Sequence, residues 1–176
     1  MNSAFNLLIW SSATMASLLV AGCASQTLPG STLAVPRVTS ILVDKSDHRM
    51  TVYRGAYRLR TFQVALGTGG LGPKVRQGDE RVPEGRYLIA GRNPRSAFHL
   101  SLKISYPTPA QAAAAKALGI DPGGDIMIHG LPNGRGRIGS AHRRIDWTRG
   151  CIAVTNQEIE WLWRAVPDGT PIDIRA

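Results

Sequence analysis

The apolar positions of this chain fall mostly into short alternating runs, the two-residue period of half-buried strands, and only twice into the wider spacing of a helix. Ile41-Leu42-Val43 and Met50-Thr51-Val52-Tyr53 flank a polar turn, Lys45-Ser46-Asp47-His48, and the alternation from Leu59 to Leu66 continues this meander after Gly55. Tyr87 to Ala90, His99 to Ile104 and Pro171 to Ile174 read as further strands. Gly67 to Glu84 is crowded with Gly, Pro and charge, which predicts a long loop of the kind that carries function. The Ala-rich run from Pro109 to Leu118 predicts a helix, with Gly119 as its C-terminal stop. Thr155-Asn156-Gln157-Glu158 is a capping box, and Ile159, Leu162, Trp163 and Val166 behind it form one apolar stripe, hence a core helix. There is no internal repeat, P-loop or dinucleotide fingerprint.

Ahead of these elements the pattern changes. Phe5 to Val20 is a run of apolar and small residues, too short for a membrane span and of the right length for a signal-peptide core. Val20-Ala21-Gly22-Cys23 follows directly and resembles a bacterial lipobox, in which the Cys thiol accepts diacylglycerol after cleavage before it. The expected organisation is therefore residues 1–22 as signal peptide, 23–38 as lipidated Cys23 with a Ser/Thr/Pro/Gly tether, and 39–176 as the folded domain. One acyl chain gives only marginal attachment, so the several chains added in lipoprotein processing would make it stable. The expected location is the periplasmic face of a bacterial membrane in the cell envelope, with the membrane as a partner through the lipid on Cys23.

The 176 residues, 43% of them apolar and 19% charged, suit one globular domain. The formal charge of +9 is carried wholly from Arg37 onward, which favours anionic partners: nucleic acid, a membrane surface or a carboxylate-rich polymer. No aromatic-plus-basic strand signature or zinc-finger spacing is present, so nucleic acid is not expected.

With Cys23 lipidated, Cys151 is the one thiol left and no internal disulfide can form. An unpaired thiol in an oxidising compartment is either sealed in the core as a small apolar residue or kept for its reactivity. Its surroundings favour use. Asp125-Ile126-Met127-Ile128-His129-Gly130 reads as a strand that delivers His129 to its end, and Trp147 to Val154 places Cys151 where a loop enters a strand. A Cys nucleophile needs a base, and Gly150 beside it would turn a backbone N–H towards the oxyanion. A free thiol with pKa near ~8.5 is only ~3% thiolate at neutral pH, whereas an imidazolium partner lowering it to ~6.5 would make about three quarters thiolate. One Cys and scattered His lack the close spacing of a zinc site, so no metal is expected.

From about Thr39 to its end the chain resembles the L,D-transpeptidase catalytic-domain family, whose signature is a His-Gly strand end followed by a Ser/Thr-His-Gly-Cys loop. The matching residues are His129-Gly130 and Thr148-Arg149-Gly150-Cys151. Val43-Asp44-Lys45-Ser46, Val82-Pro83-Glu84-Gly85, Arg92-Asn93-Pro94 and Phe98-His99-Leu100-Ser101 add support. Asp146-Trp147-Thr148 with Ile152-Ala153-Val154-Thr155-Asn156 is similar to one subgroup. The resemblance implies a mainly β (α+β) fold of two packed β-sheets with a few peripheral helices, a thioester at Cys151 and no cofactor. It implies a peptidoglycan tetrapeptide stem as donor, cut between its third residue and D-Ala, with the acyl group passed to an amine on another stem or on a wall-attached protein. Catalytic roles fall on Cys151, His129 and Gly150, and substrate contacts on Gly130, Arg149 and Thr148. Read from the residues alone, His142 and His99 either orient His129, hold substrate or are structural, and Tyr106 either lines the donor pocket or belongs to the core.

Arg149 stands where the family often has His, and Ala153 where Arg or Asn is common. The 21 residues between His129 and Cys151 exceed the usual gap, and this insertion, Leu131 to Asp146, carries Arg135, Arg137, His142, Arg143 and Arg144, a set able to bind stem carboxylates. Two other outcomes fit the same residues. Water in place of the amine makes the enzyme a hydrolytic amidase, and loss of chemistry leaves a peptidoglycan-binding lipoprotein.

Overall fold

The computed structural model describes residues 35–176, so the expected signal peptide, lipobox and Cys23 lie outside the described residues. The meander forms as the alternation predicts: β1 (Ser40–Asp44), β2 (Arg49–Arg54) and β3 (Tyr57–Gln63) pair antiparallel, Ile41 facing Val52 and Met50 facing Phe62. The chain's last strand, β8 (Pro171–Arg175), runs parallel to β1 and antiparallel to β4 (Gly85–Asn93). Beyond β4 come β5 (Ser101–Ile104), β6 (Met127–His129) and β7 (Ile152–Ala153), giving the order β3-β2-β1-β8-β4-β5-β6-β7.

The two expected sheets are thus two halves of one curled sheet. Gly85 to Leu88 of β4 pair with β8, whereas Ile89 to Asn93 pair with β5, and the register shifts between Ile89 and Gly91. Such an irregularity bends a strand and lets one strand serve both halves. The curl brings the chain just after β3 back onto the far edge, where Ala65 pairs with Ala153 and Gly67 with Thr148. Inside the curl lie Val43, Met50, Val52, Ile89, Ile104 and Ile128, each fully buried. Among the described residues every core residue lies between Val38 and Ile174, and Leu33–Ala176 is one compact unit.

Both predicted helices are present. α1 (Pro109–Ala117) is capped by Thr108 and α2 (Asn156–Ala165) by Thr155, each through a reciprocal capping box. Ile159 and Leu162 of α2 enter the core, while Trp163 sits at the edge under the Arg92 guanidinium, 5.4 Å from its ring. The insertion holds an element that the sequence pattern did not announce, a 3-10 segment (Gly136–Arg144) kinked at Gly139. Among the described residues no helix is long and apolar enough to cross a membrane.

The long loop between β3 and β4 is pinned at two buried lysines. Lys45, expected in an exposed turn, is 1% exposed, and its Nζ donates to Gly72 O at 2.5 Å, Val82 O at 3.2 Å and Glu84 Oε1 at 2.7 Å. Asp79 accepts from Lys74 Nζ and from the backbone amides of Val75, Arg76 and Arg81. Burial alone would raise the Asp79 pKa, but these four donors hold it at about 2.

Candidate active site

The site lies at the seam where the curled sheet closes. β6 and β7 are parallel, with Ile128 facing Ile152 and His129 facing Ala153. One step back along that register, Cys151 stands opposite Met127, whose amide N–H donates to the thiol. Side chains alternate between faces, so His129 and Cys151 share one face of the pair. Two residues along and one strand across puts their Cα atoms about 8 Å apart, within side-chain reach.

His129 is fixed before any ligand arrives. Its Nδ1 is 2.7 Å from Gly130 O; a carbonyl can only accept, so the proton sits on Nδ1 and the Nε2 lone pair is free. The ring, 4% exposed, is clamped between Phe98, with centroids 4.4 Å apart, and the edge of Trp147 at 5.7 Å. Burial pushes its pKa below the usual 6.5, against the opposing pull of the Gly130 carbonyl, so it is neutral at pH 7.

The expected thiolate–imidazolium pair is not formed in this structure. Sγ of Cys151 lies 3.7 Å from Asp125 O, and no hydrogen bond joins it to His129. Burial pushes the thiol pKa up; the Met127 N–H and, more weakly, the Lys74 charge pull it down, while Asp125 adds to the rise. The physical reason is shared: both partners are desolvated, and desolvation favours the neutral form of each.

Gly150 has an N–H that is expected to face an oxyanion and that donates here to Thr148 Oγ1 at 3.2 Å. Its contribution is the absence of a side chain: φ is +108°, and a Cβ would lie 2.7 Å from Arg81 O. Thr148 is likewise a brace rather than a substrate contact, 4% exposed with its hydroxyl donating to Cys151 O at 2.8 Å. Gly130 donates to Phe98 O and Leu100 O and leaves no room for a Cβ, which would meet Asn156 Oδ1 at 2.8 Å. It positions His129 and touches no open space.

The remaining candidates separate. Arg149 is exposed beside Cys151 and forms no ion pair among the described residues. His142 is 6% exposed and accepts from Trp147 Nε1 at 3.4 Å, so it orients the tryptophan that clamps His129. Burial, with help from Arg143, lowers its pKa to about 4. His99 is turned away to Glu160 on α2, with its Nε2 2.8 Å from Oε1. Tyr106 is 5% exposed and donates to Pro122 O at 2.9 Å, which fixes the loop before β6. Of the insertion's basic residues, Arg143 is spent on Glu158. The insertion also forms an apolar pocket of about 350 Å³ between Leu131, Ile138, Ile145 and Trp147, with Arg135 on its wall.

Two further residues support the site. Ser101 faces His129 across the β5–β6 pair and has a fully buried hydroxyl without a hydrogen-bond partner. Asp146 ties the motif loop to the meander, accepting from Leu66 N at 2.7 Å and lying 3.0 Å from His48 Nε2. Ser101 belongs to the family-like Phe98-to-Ser101 stretch, which assigns it no role; Asp146 is expected to fix the loop, while its partners, 80 and 98 residues away, are not legible in the sequence. Among the described residues no group of three or more His, Cys, Asp or Glu side chains gathers as a metal site would.

Comparison with known proteins agrees with this architecture. YafK of Escherichia coli (strain K12) is 32% identical over 111 residues, covering 61% of this chain and 37% of YafK. The structure of Pgp2, the helical cell shape determining protein of Campylobacter jejuni, superposes with a TM-score of 0.60 at 25% identity, covering 80% of this chain and 48% of Pgp2. The L,D-transpeptidase of Xylanimonas cellulosilytica shares the fold, with a TM-score of 0.54 at 15% identity, over 80% of this chain and 61% of that one. The chain therefore spans less than two thirds of each of these relatives. Residues 39–174 match the YkuD family, and the chain belongs to that L,D-transpeptidase catalytic domain family.

Proposed function

We propose that this chain is a cysteine-dependent L,D-transpeptidase that acts on peptidoglycan tetrapeptide stems, with Cys151 as nucleophile and His129 as proton carrier. The observation that supports this most directly is the placement of thiol and imidazole on one face of two parallel strands, with the Nε2 lone pair of His129 left free. The thiol and imidazole start neutral, so the proton moves as the bond forms. The Cys151 sulfur turns from Asp125 O, gives its proton to His129 Nε2 and attacks the carbonyl of the stem's third residue. His129 returns that proton to the departing D-Ala nitrogen as the C–N bond breaks, leaving a thioester. An amine on a second stem or on a wall-attached protein then attacks the thioester, loses its proton through His129 and releases the thiol. Arg149, exposed beside the sulfur, meets a stem carboxylate.

The likeness to Pgp2 extends this reading to wall remodelling that sets cell shape. Lipid on Cys23 would hold the domain at the periplasmic face of a membrane, within a tether's length of the wall. The test is intact-mass analysis after incubation of the protein with a muropeptide tetrapeptide or a carbapenem. An adduct on the wild type that Cys151→Ala lacks is expected, and products made with and without an amine acceptor separate transfer from hydrolysis. Cosedimentation with peptidoglycan and no adduct under any condition would replace the enzyme by a wall-binding protein.

A further inference from the structure

The hairpin joining β2 and β3 presents a charged aromatic tip that the chemistry at Cys151 does not use. Tyr57 is 80% exposed, the most exposed of the large apolar side chains among the described residues. Arg54 and Arg58 flank it in the sequence, both are exposed, and neither is in an ion pair among the described residues. Asp44 and Asp47, the nearest acids of the meander, are engaged with Ser46 and Arg49 at the opposite end of β2. From Arg58 near the tip, the open face of the sheet forms a shallow groove of about 750 Å³ past Tyr53, Arg60 and Leu42 to Asp44, Arg49 and Arg175 at the far end of β2.

A second observation, independent of charge, concerns where the chain enters the domain. Thr39 is clipped to this same hairpin: its N–H donates to Tyr53 O at 2.7 Å, and its hydroxyl accepts from Gly55 N at 2.8 Å. Arg37, exposed and also without an ion pair, lies two residues before it. The first described residues, from Val35 to Thr39, thus lie at the pole that carries Arg37, Arg54, Tyr57 and Arg58. From Tyr57 the strand runs through Gln63 to Ala65 and the seam at Ala153, roughly 25 Å of extended chain, so this pole and the thiol are well apart.

We infer that this pole is a membrane-docking surface, which takes the phosphate headgroups of an anionic lipid bilayer on Arg37, Arg54 and Arg58 and seats Tyr57 at the interface. Arginine guanidinium matches phosphate geometry, and tyrosine settles where an apolar ring and a wet hydroxyl can both be satisfied. Peptidoglycan is anionic too, but an exposed aromatic at the tip favours lipid, as does the start of the described chain at this pole if the preceding residues are the membrane-directed segment proposed above. Docking here holds the domain against the bilayer and leaves Cys151 clear of it. The inference goes beyond the proposed reaction and stands or falls without it.

Residues 35–176, which lack Cys23 and the apolar segment, provide the test by cosedimentation with vesicles of phosphatidylglycerol and phosphatidylethanolamine, against phosphatidylcholine alone. Binding to the anionic vesicles that weakens with salt is expected. Each basic residue near such a surface contributes a factor of about five, so Arg54→Glu/Arg58→Glu lowers partitioning at least about tenfold. Tyr57→Ser weakens binding without changing its salt dependence. Arg95→Glu/Lys116→Glu, an equal change of charge elsewhere on the surface, leaves it as it was. All these side chains are exposed, and circular dichroism establishes that the variants fold. The inference is overturned if the anionic vesicles are not bound, or if both double variants lose binding equally. Retention on purified sacculi that Arg54→Glu/Arg58→Glu abolishes, with vesicle binding intact, would also overturn it and assign the pole to the wall polymer.

Discussion

Gly150→Ala separates the backbone's part in the site from the side chains'. The native φ of +108° lies outside the conformations that L side chains tolerate, a strain of about 1–3 kcal/mol. The new Cβ would also stand 2.7 Å from Arg81 O, well inside ordinary contact. That carbonyl cannot retreat freely, because Arg81 N is held by Asp79 Oδ1 at 3.1 Å and Arg81 Nε by Gly69 O at 3.0 Å. Overpacking of this kind adds about 1–3 kcal/mol. A total of roughly 2–6 kcal/mol is a large part of a domain's ~5–15 kcal/mol of stability and lowers Tm by roughly 5–20 °C. The strain relaxes most easily by moving the Thr148–Cys151 turn, so carbapenem acylation of Cys151 should slow at least about tenfold. Gly169→Ala is the control: φ is +82° with nothing within 4 Å, so it carries only a backbone cost of about 1–2 kcal/mol. Scanning fluorimetry and intact-mass kinetics on both variants read the two effects. Equal Tm losses, or a Gly150→Ala enzyme that acylates at the wild-type rate, would refute the reasoning.

Three further outcomes follow from the geometry. Because burial pushes the Cys151 thiol up and no imidazolium offsets it, iodoacetamide labelling of the free enzyme should keep accelerating as pH rises past the ordinary thiol value; a plateau near neutrality would reveal an ion pair with His129. His142 stays neutral in the fold down to about 4, whereas the unfolded chain takes up its proton near 6.5, so stability should fall between pH 6.5 and about 4 and this contribution then level off. Its size is on the order of 2–3 kcal/mol, with His129 acting in the same direction, and urea melts of His142→Leu should lose much of that slope if the assignment holds. Lys45→Met strips three acceptors of a buried ammonium and should cost about 3 kcal/mol, opening the loop between β3 and β4 to limited proteolysis; a wild-type digestion pattern would contradict its anchoring role.

Local signals were sufficient for most elements. The alternation at Ile41–Val43 and Met50–Tyr53 made the meander legible, since a half-buried strand writes its two faces into successive residues. The Thr155 capping box and the stripe behind it marked α2, because those bonds close within four residues. The two motifs proposed to carry the chemistry were legible in the same way, as a His-Gly and a Thr-Arg-Gly-Cys each set where a strand meets a loop.

What the residues of the site do was decided in three dimensions. Thr148 and Gly150 hydrogen-bond to each other within a turn that the Arg81 carbonyl approaches from outside, a pairing the motif itself does not show. His99 and Tyr106 found partners on α2 and in the loop before β6 that no local pattern announces. Lys45 went inside because two carbonyls and Glu84, 27 to 39 residues ahead, converge on it. The protonation of Cys151 and His129 likewise depends on how much water their neighbours exclude. Periodicity and capping act over a few residues and survive in a linear string; desolvation and the pairing of buried polar groups depend on which distant segments the curled sheet brings together.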